Sequence, residues 1–142
     1  MAERVYPQWK EYIHYETTLQ ERRPVKRGRD VEEHLPMSSA SFHILLALAG
    51  GAQHGYSIMR EIRESTDGRI RVAPATLYRL IGGLLRSELI EEFEPGDPSY
   101  EDERRKYYRL TTFGRRVLTE ETKRLVATVE LARERRIIPR LS

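Results

Sequence analysis

Residues 74–86 read PATLYRLIGGLLR, and the rest of the chain is interpreted outward from them. Apolar residues recur here with the spacing of one helical face, which predicts a helix that buries that face. They are Leu77, Leu80, Ile81, Leu84 and Leu85. Pro74 suits the first helical position. Near the start, Thr76, Tyr78 and Arg79 avoid the stripe, and their side chains are typical contacts to phosphates and base edges. The stretch predicts the recognition helix of a winged helix-turn-helix DNA-binding protein.

The length and composition predict one domain with additional terminal segments. With 142 residues, 39% of them hydrophobic, it can bury a modest core. The 25 Lys and Arg against 22 Asp and Glu give a net charge of +3, which barely favours a polyanionic partner. The basic excess lies after the central helix, in residues 96–116. Because the sequence has no cysteine, no membrane-spanning apolar run and no signal peptide, we expect a soluble cytoplasmic protein.

Two helices are predicted before the central one and two strands after it. The first helix begins at Ser38 or Ser39 and ends at Gly50-Gly51; the second runs from Gly55 to about Ser65. Residues 89–94 and 104–110 have strand character, and the stretch between them is rich in turn formers. Three helices followed by a two-stranded hairpin is the order of elements that is typical of a winged helix. The expected fold class is mainly α with a small β-hairpin.

The chain divides into three expected regions. Residues 1–36 form an N-terminal extension, a weak helix followed by a basic linker, and residues 37–111 form the winged helix-turn-helix domain. Residues 112–142 form a C-terminal dimerisation helix, because apolar residues recur along it at heptad spacing and an exposed seam needs a partner. The seam consists of Leu118, Leu125, Val129 and Ala132. Glu121, Thr122 and Thr128 interrupt it, which favours a short helix pair over a long coiled coil.

Further DNA contacts are expected outside the central helix. The second helix opens at His54-Gly55-Tyr56, where backbone amides can hold a phosphate and Tyr56 or Ser57 can add a hydroxyl. The wing carries Arg104, Arg105 and Lys106, placed to reach the backbone or the minor groove. For several of these residues, contacts within the protein are the alternative to a DNA contact. Tyr78 would pack on the preceding helix, Arg79 would pair with a carboxylate, and the wing cations would pair with Glu101, Asp102 and Glu103.

The order and spacing of several short motifs resemble those of the PadR-type transcriptional regulators. The motifs are Ile44–Leu48, His54–Tyr56, Pro74–Tyr78, Leu89–Glu91, Arg105–Thr111 and Gly114. The resemblance implies a homodimeric winged helix-turn-helix repressor that binds double-stranded DNA at a dyad-symmetric operator. It also implies release by a small aromatic or hydrophobic ligand, and the length after Thr111 resembles the short subfamily with one terminal helix.

Two departures from the family pattern limit this transfer. Ala73 stands where relatives often have a serine before the proline, so the usual N-cap hydroxyl is missing and Thr76 would have to contribute to capping. Relatives that bind flat drugs use a tryptophan on the terminal helix, whereas the only tryptophan here is Trp9. A stacking pocket of that kind is therefore not expected.

A protein–protein interaction module without sequence-specific DNA binding is the alternative function, because the net charge is nearly neutral. Catalysis, cofactors and a metal are not expected, since the four histidines are scattered without ligand spacing and no phosphate loop is present. Gly82 and Gly83 lie inside the central helix, which costs about 1 kcal/mol each relative to alanine. The close approach of another backbone or of DNA would compensate.

Overall fold

The computed structural model describes residues 30–94 and 106–138. Contacts divide the chain into two units; the larger is Gly28–Thr122, and the described part of the other is 123–138. The helices are α1 Ser39–Leu48, α2 Gly55–Ser65, α3 Pro74–Arg86 and α4 Thr112–Glu134, and the strands are β1 Gln53–His54, β2 Ile90–Phe93 and β3 Tyr107–Leu110. A short 3-10 turn, Val31–His34, precedes them. The predicted winged-helix fold class is confirmed.

Helix ends follow from local chemistry. The Ser38 hydroxyl caps α1 by accepting from the Ser41 N–H at 3.1 Å, as predicted. Helix α3 begins at Pro74, and its N-cap residue Ala73 makes no side-chain capping bond. Thr111 caps α4, because its hydroxyl oxygen accepts from the Gly114 N–H at 2.9 Å. The first turn of α3 is therefore left with backbone donors that no capping side chain satisfies.

The sheet has three strands rather than the two of the expected hairpin. Strand β3 lies in the centre, paired antiparallel with β2 on one side and with β1 on the other. In this register Glu91 lies opposite Arg109, and His54 lies opposite Tyr107. Since β1 leads directly into α2, the extra strand ties the start of α2 to the wing.

One apolar core fills the larger unit, and every helix contributes to it. Its largest completely buried apolar residues are Ile44, Leu45, Leu48, Ile58, Ile62, Leu77, Ile81, Ile90 and Val117. The predicted stripe of α3 supplies Leu77, Ile81 and Leu84 to this core. The face of α3 that carries Tyr78 and Arg79 consequently points outward.

The larger unit extends beyond both boundaries expected from the sequence. Val31 and Leu35 pack on the core, and the His34 ring meets Phe113 edge to face with 5.5 Å between centroids. Buried Glu121, in α4, accepts a hydrogen bond from the Met37 N–H. Residues just before Met37 and the first three turns of α4 thus belong to the winged-helix unit. The expected N-terminal helix and its basic linker lie outside the described residues.

No helix in the described ranges is long and apolar enough to cross a membrane. Within the same ranges, no three His, Asp or Glu side chains are grouped so that they could hold a metal ion.

Candidate nucleic-acid interface

The N-terminal half of α3 presents polar side chains on the side away from the core. Arg79 is exposed, Tyr78 is 52% exposed, and Thr76 is partly buried. The Arg79 side chain makes no hydrogen bond or ion pair with another described residue, so the carboxylate partner considered for it is not found in that part of the chain. Thr76 makes no capping hydrogen bond at the start of α3. The guanidinium is thus free to bind an external group.

The side chain of His54 holds the first turn of α2. The His54 Nδ1 accepts from the Ser57 N–H at 3.2 Å and so caps the helix. Tyr56 is 56% exposed and stacks against the His54 ring. The buried face of the helix is formed by Ile58 and Ile62. Tyr56 therefore stands at the open end of α2.

Tyr78 connects α3 to the start of α2. A Cβ built at buried Gly55 would lie 2.6 Å from the Tyr78 hydroxyl oxygen, so the missing side chain makes room for the phenol. Tyr78 therefore packs on the preceding helix, as in the structural alternative, yet keeps half its surface exposed. This contact brings it beside two other candidates, Tyr56 and Ser57.

The described wing residues pair across the strands. Lys106 is exposed and lies 3.5 Å from a Glu92 carboxylate oxygen. Arg109 donates to Glu91 at 2.7 Å, with its guanidinium 4.8 Å from the centroid of the Phe93 ring. Such exposed pairs stabilise a fold by about 1 kcal/mol or less, so the cation can readily exchange its carboxylate partner for another anion. Arg104 and Arg105, together with their suggested partners Glu101, Asp102 and Glu103, lie outside the described residues.

Both tyrosines of β3 are buried, although adjacent residues of a strand point to opposite faces. Tyr108 joins the core, while Tyr107 meets the His54 ring edge to face at 5.4 Å. Tyr107 is covered because β1 lies beside β3. Burial raises the pKa of the Tyr108 phenol above its ordinary value, with smaller contributions from the nearby charge of Glu92 and from Tyr78.

Alkaline pH should therefore destabilise the fold through Tyr108. The raised pKa means that the unfolded chain ionises first, near pH 10, so this contribution to stability is present below pH 10 and is lost as the pH rises through the folded-state pKa. We expect the melting temperature to fall more steeply between pH 9 and pH 11 for the wild type than for Tyr108→Phe. Equal slopes in circular-dichroism melts would contradict this assignment.

Comparisons with known proteins agree with this geometry. Residues 44–120 match the profile of the Transcriptional regulator PadR-like family. The chain belongs to the PadR-like family. A Lysinibacillus sphaericus protein described as uncharacterised is 35% identical over 79 residues, which is 56% of this chain and 71% of that protein.

Solved structures of PadR-like and related regulators share the fold. A transcriptional regulator from Clostridium thermocellum superposes with a TM-score of 0.58 at 26% identity, covering 69% of this chain and 96% of the other. Bacillus subtilis PadR, solved in complex with operator DNA, has a TM-score of 0.50 at 22% identity, covering 60% of this chain and 47% of that one.

Only part of the dimerisation seam suggested for this PadR-like chain is exposed. Leu118 is only 6% exposed and belongs to the core of its own protomer, so it is not available to a partner. Glu121 does not interrupt an exposed seam either, because it is buried. In the part of α4 after Lys123, Val129 is 43% exposed, and Leu125 and Ala132 are partly buried. Exposed Val126 lies next to these three and was missed.

Arg86 is a further α3 residue that the sequence interpretation did not select. Its guanidinium lies over the two mid-helix glycines, 3.3 Å from a Cβ built at Gly82 and 3.8 Å from one built at Gly83. Apart from the local helix backbone, nothing else in the described residues comes within 4 Å of either position. The close backbone neighbour suggested for the glycines is thus not found there, whereas a contact with DNA stays a prediction. The sequence signal that could have identified Arg86 is its spacing. Arg79, Gly83 and Arg86 are spaced i, i+4, i+7 and therefore share one face of the helix.

Proposed function

We propose that this protein is a sequence-specific DNA-binding transcriptional repressor that acts as a homodimer. The guanidinium of Arg79, exposed on the outward side of α3 and unpaired among the described residues, is the observation that carries the proposal. Family membership supports DNA as the partner, and the related Bacillus subtilis PadR has been solved with operator DNA. Release from DNA by a small hydrophobic or aromatic ligand rests on the family resemblance alone.

Each exposed group has a distinct proposed role on DNA. Arg79 donates two N–H hydrogen bonds from one edge of its guanidinium to O6 and N7 of a guanine in the major groove, and Thr76 contacts a neighbouring base or phosphate. The first-turn amides of α2 other than that of Ser57, which His54 caps, hold a backbone phosphate together with the hydroxyls of Ser57 and Tyr56. Lys106 exchanges Glu92 for a phosphate, and Arg104 and Arg105 extend the same wing contact.

A selection experiment tests this function. The full chain would be incubated with genomic fragments, and the bound DNA sequenced; the recovered site should have dyad symmetry with half-sites about 34 Å apart. Fluorescence anisotropy should then show at least about 1,000-fold tighter binding to this site than to a scrambled duplex at the same salt concentration. Equal affinity for the two duplexes would reject sequence-specific binding and favour the protein-interaction alternative.

Replacing Lys106 by alanine should weaken binding to every duplex alike. The side chain is exposed and is proposed to contact phosphate only, so operator and scrambled affinities should fall by the same factor. The slope of log affinity against log salt should become shallower by about 1. Glu92→Gln is the matched variant, expected to strengthen both affinities because it frees Lys106. Loss confined to the operator would contradict a phosphate role.

Dimerisation should depend on the exposed apolar side of α4. Val129→Asp places a charge beside Leu125 and Ala132, and we expect it to convert a dimer into a monomer at micromolar concentration. Ala127→Asp adds the same charge to the opposite side of the helix and should leave the dimer intact. Light scattering after size-exclusion chromatography measures both masses. A wild-type monomer, or equal effects of the two variants, would refute this interface.

A further inference from the structure

The contact between Gly55 and Tyr78 is closer than any side chain at position 55 would permit. The three atoms nearest to a Cβ built at Gly55 all belong to Tyr78: Oη at 2.6 Å, Cζ at 2.9 Å and Cε1 at 3.0 Å. Gly55 does not have the positive φ that would itself require glycine. An alanine could therefore adopt this backbone, and the tyrosine ring is the nearest obstacle to it.

Tyr78 contributes little to the core, because more than half of its surface is exposed. Its neighbours in the chain have well-defined places: Leu77 is completely buried, and Arg79 points outward. The phenol thus fixes the start of α3 against the first turn of α2 from outside the core. These are the two helix ends that the proposed function places on DNA.

We propose that Tyr78 is a positioning residue for DNA recognition and that Gly55 is the seat of its ring, that is, the position without a side chain against which the ring packs. This inference rests on the proposed function and replaces the expectation that Tyr78 itself reads a base. The ring sets the distance between the phosphate-binding turn of α2 and the base-reading turn of α3. Arg79 then reaches its guanine only when α2 is held on its phosphate.

Thermal unfolding of four proteins tests the contact without reference to DNA: wild type, Gly55→Ala, Tyr78→Ala and the double variant. Gly55→Ala should lower the melting temperature when Tyr78 is present, because the new methyl group displaces the ring. In the Tyr78→Ala background the same change should leave the melting temperature unchanged or raise it by up to about 4 °C, since alanine restricts the unfolded chain. An equal decrease in both backgrounds would overturn the proposed seat.

Operator and scrambled-duplex affinities of the same proteins, with Tyr78→Phe added, test the positioning role. Gly55→Ala and Tyr78→Ala should each weaken operator binding by about tenfold, with scrambled DNA changed less than about twofold. The double variant should be no weaker than Tyr78→Ala. Tyr78→Phe keeps the ring and should bind the operator within about threefold of wild type, because a positioning ring needs no hydroxyl.

Two results would overturn the positioning role: a loss in Tyr78→Phe as large as in Tyr78→Ala, or losses in the two single variants that multiply in the double variant. The first would show that recognition needs the hydroxyl group and that the ring alone does not suffice, and the second would show that the residues act independently. The wild-type protein alone tests the proposed function. If it binds the operator no more tightly than the scrambled duplex, the proposed function is rejected before any variant is compared. The melting-temperature cycle still decides the Gly55–Tyr78 contact in that case.

Discussion

Gly114→Ala is expected to unfold the winged-helix unit. A Cβ at this position would lie 1.8 Å from the Leu89 carbonyl oxygen and 2.7 Å from its carbonyl carbon. Both are backbone atoms, so no side-chain rotation relieves the clash. Leu89 joins α3 to β2 and is itself buried, and its carbonyl oxygen accepts from the Thr111 N–H at 3.1 Å. Separating these segments should cost more than about 4 kcal/mol, a large part of the 5–15 kcal/mol that stabilises a typical domain.

Gly83→Ala is the matched control for this substitution. The nearest neighbour of its new methyl group is the mobile end of Arg86, at 3.8 Å, and the position is inside a helix. Alanine should therefore increase the free energy of unfolding by about 0.5–1 kcal/mol. Urea unfolding followed by circular dichroism measures both variants. A Gly114→Ala protein as stable as the wild type would show that α4 does not pack on Leu89 as described.

Arg79→Ala is expected to remove most of the preference for the operator. A bidentate arginine–guanine contact contributes about 1–3 kcal/mol of discrimination, so operator affinity should fall by about 10- to 100-fold while scrambled DNA binding changes by about twofold. Arg79→Lys should recover little, because an ammonium group cannot reproduce the planar two-donor geometry. Folding should be unaffected, since the side chain is exposed and pairs with no other residue that the structure describes.

The control for Arg79 is Arg63→Ala, which removes an equally charged, exposed side chain from the last turn of α2. This substitution should lower both affinities slightly and by the same factor. Equilibrium anisotropy titrations at one fixed salt concentration compare the variants. Equal losses of operator binding in the two variants would mean that Arg79 acts only as a general positive charge.

The helices could be predicted closely because their signals are local. Pro74 at the start of α3, the Ser38 cap of α1 and the apolar period of α3 each act within one or two turns of chain. Strand β1 could not be predicted in the same way. Its two residues have no period of their own, and they become a strand only because Tyr107 and Tyr108 lie opposite them.

The sequence also could not show which partner covers an apolar residue. Leu118 and Val129 share a heptad pattern along α4, but the core of the same protomer covers Leu118, whereas Val129 stays exposed. Gly55 and Gly114 were missed as steric positions for a related reason. Each is required to be small by an atom 23 or 25 residues away, in Tyr78 or Leu89, and that neighbour is visible only after folding. The exposure of Arg79, in contrast, could be predicted, because a position opposite an apolar stripe is itself a local pattern.

Dimethyl sulfate protection of the guanine N7 atoms in the selected operator tests the central claim most directly. The wild-type protein should protect guanines in two clusters about one helical turn apart, because two copies of α3 enter successive major grooves. At concentrations that saturate the operator, Arg79→Ala should lose protection at one guanine in each cluster and keep the others. Protection identical in the two proteins, or no protected guanine in either, would contradict the account that α3 reads bases through Arg79.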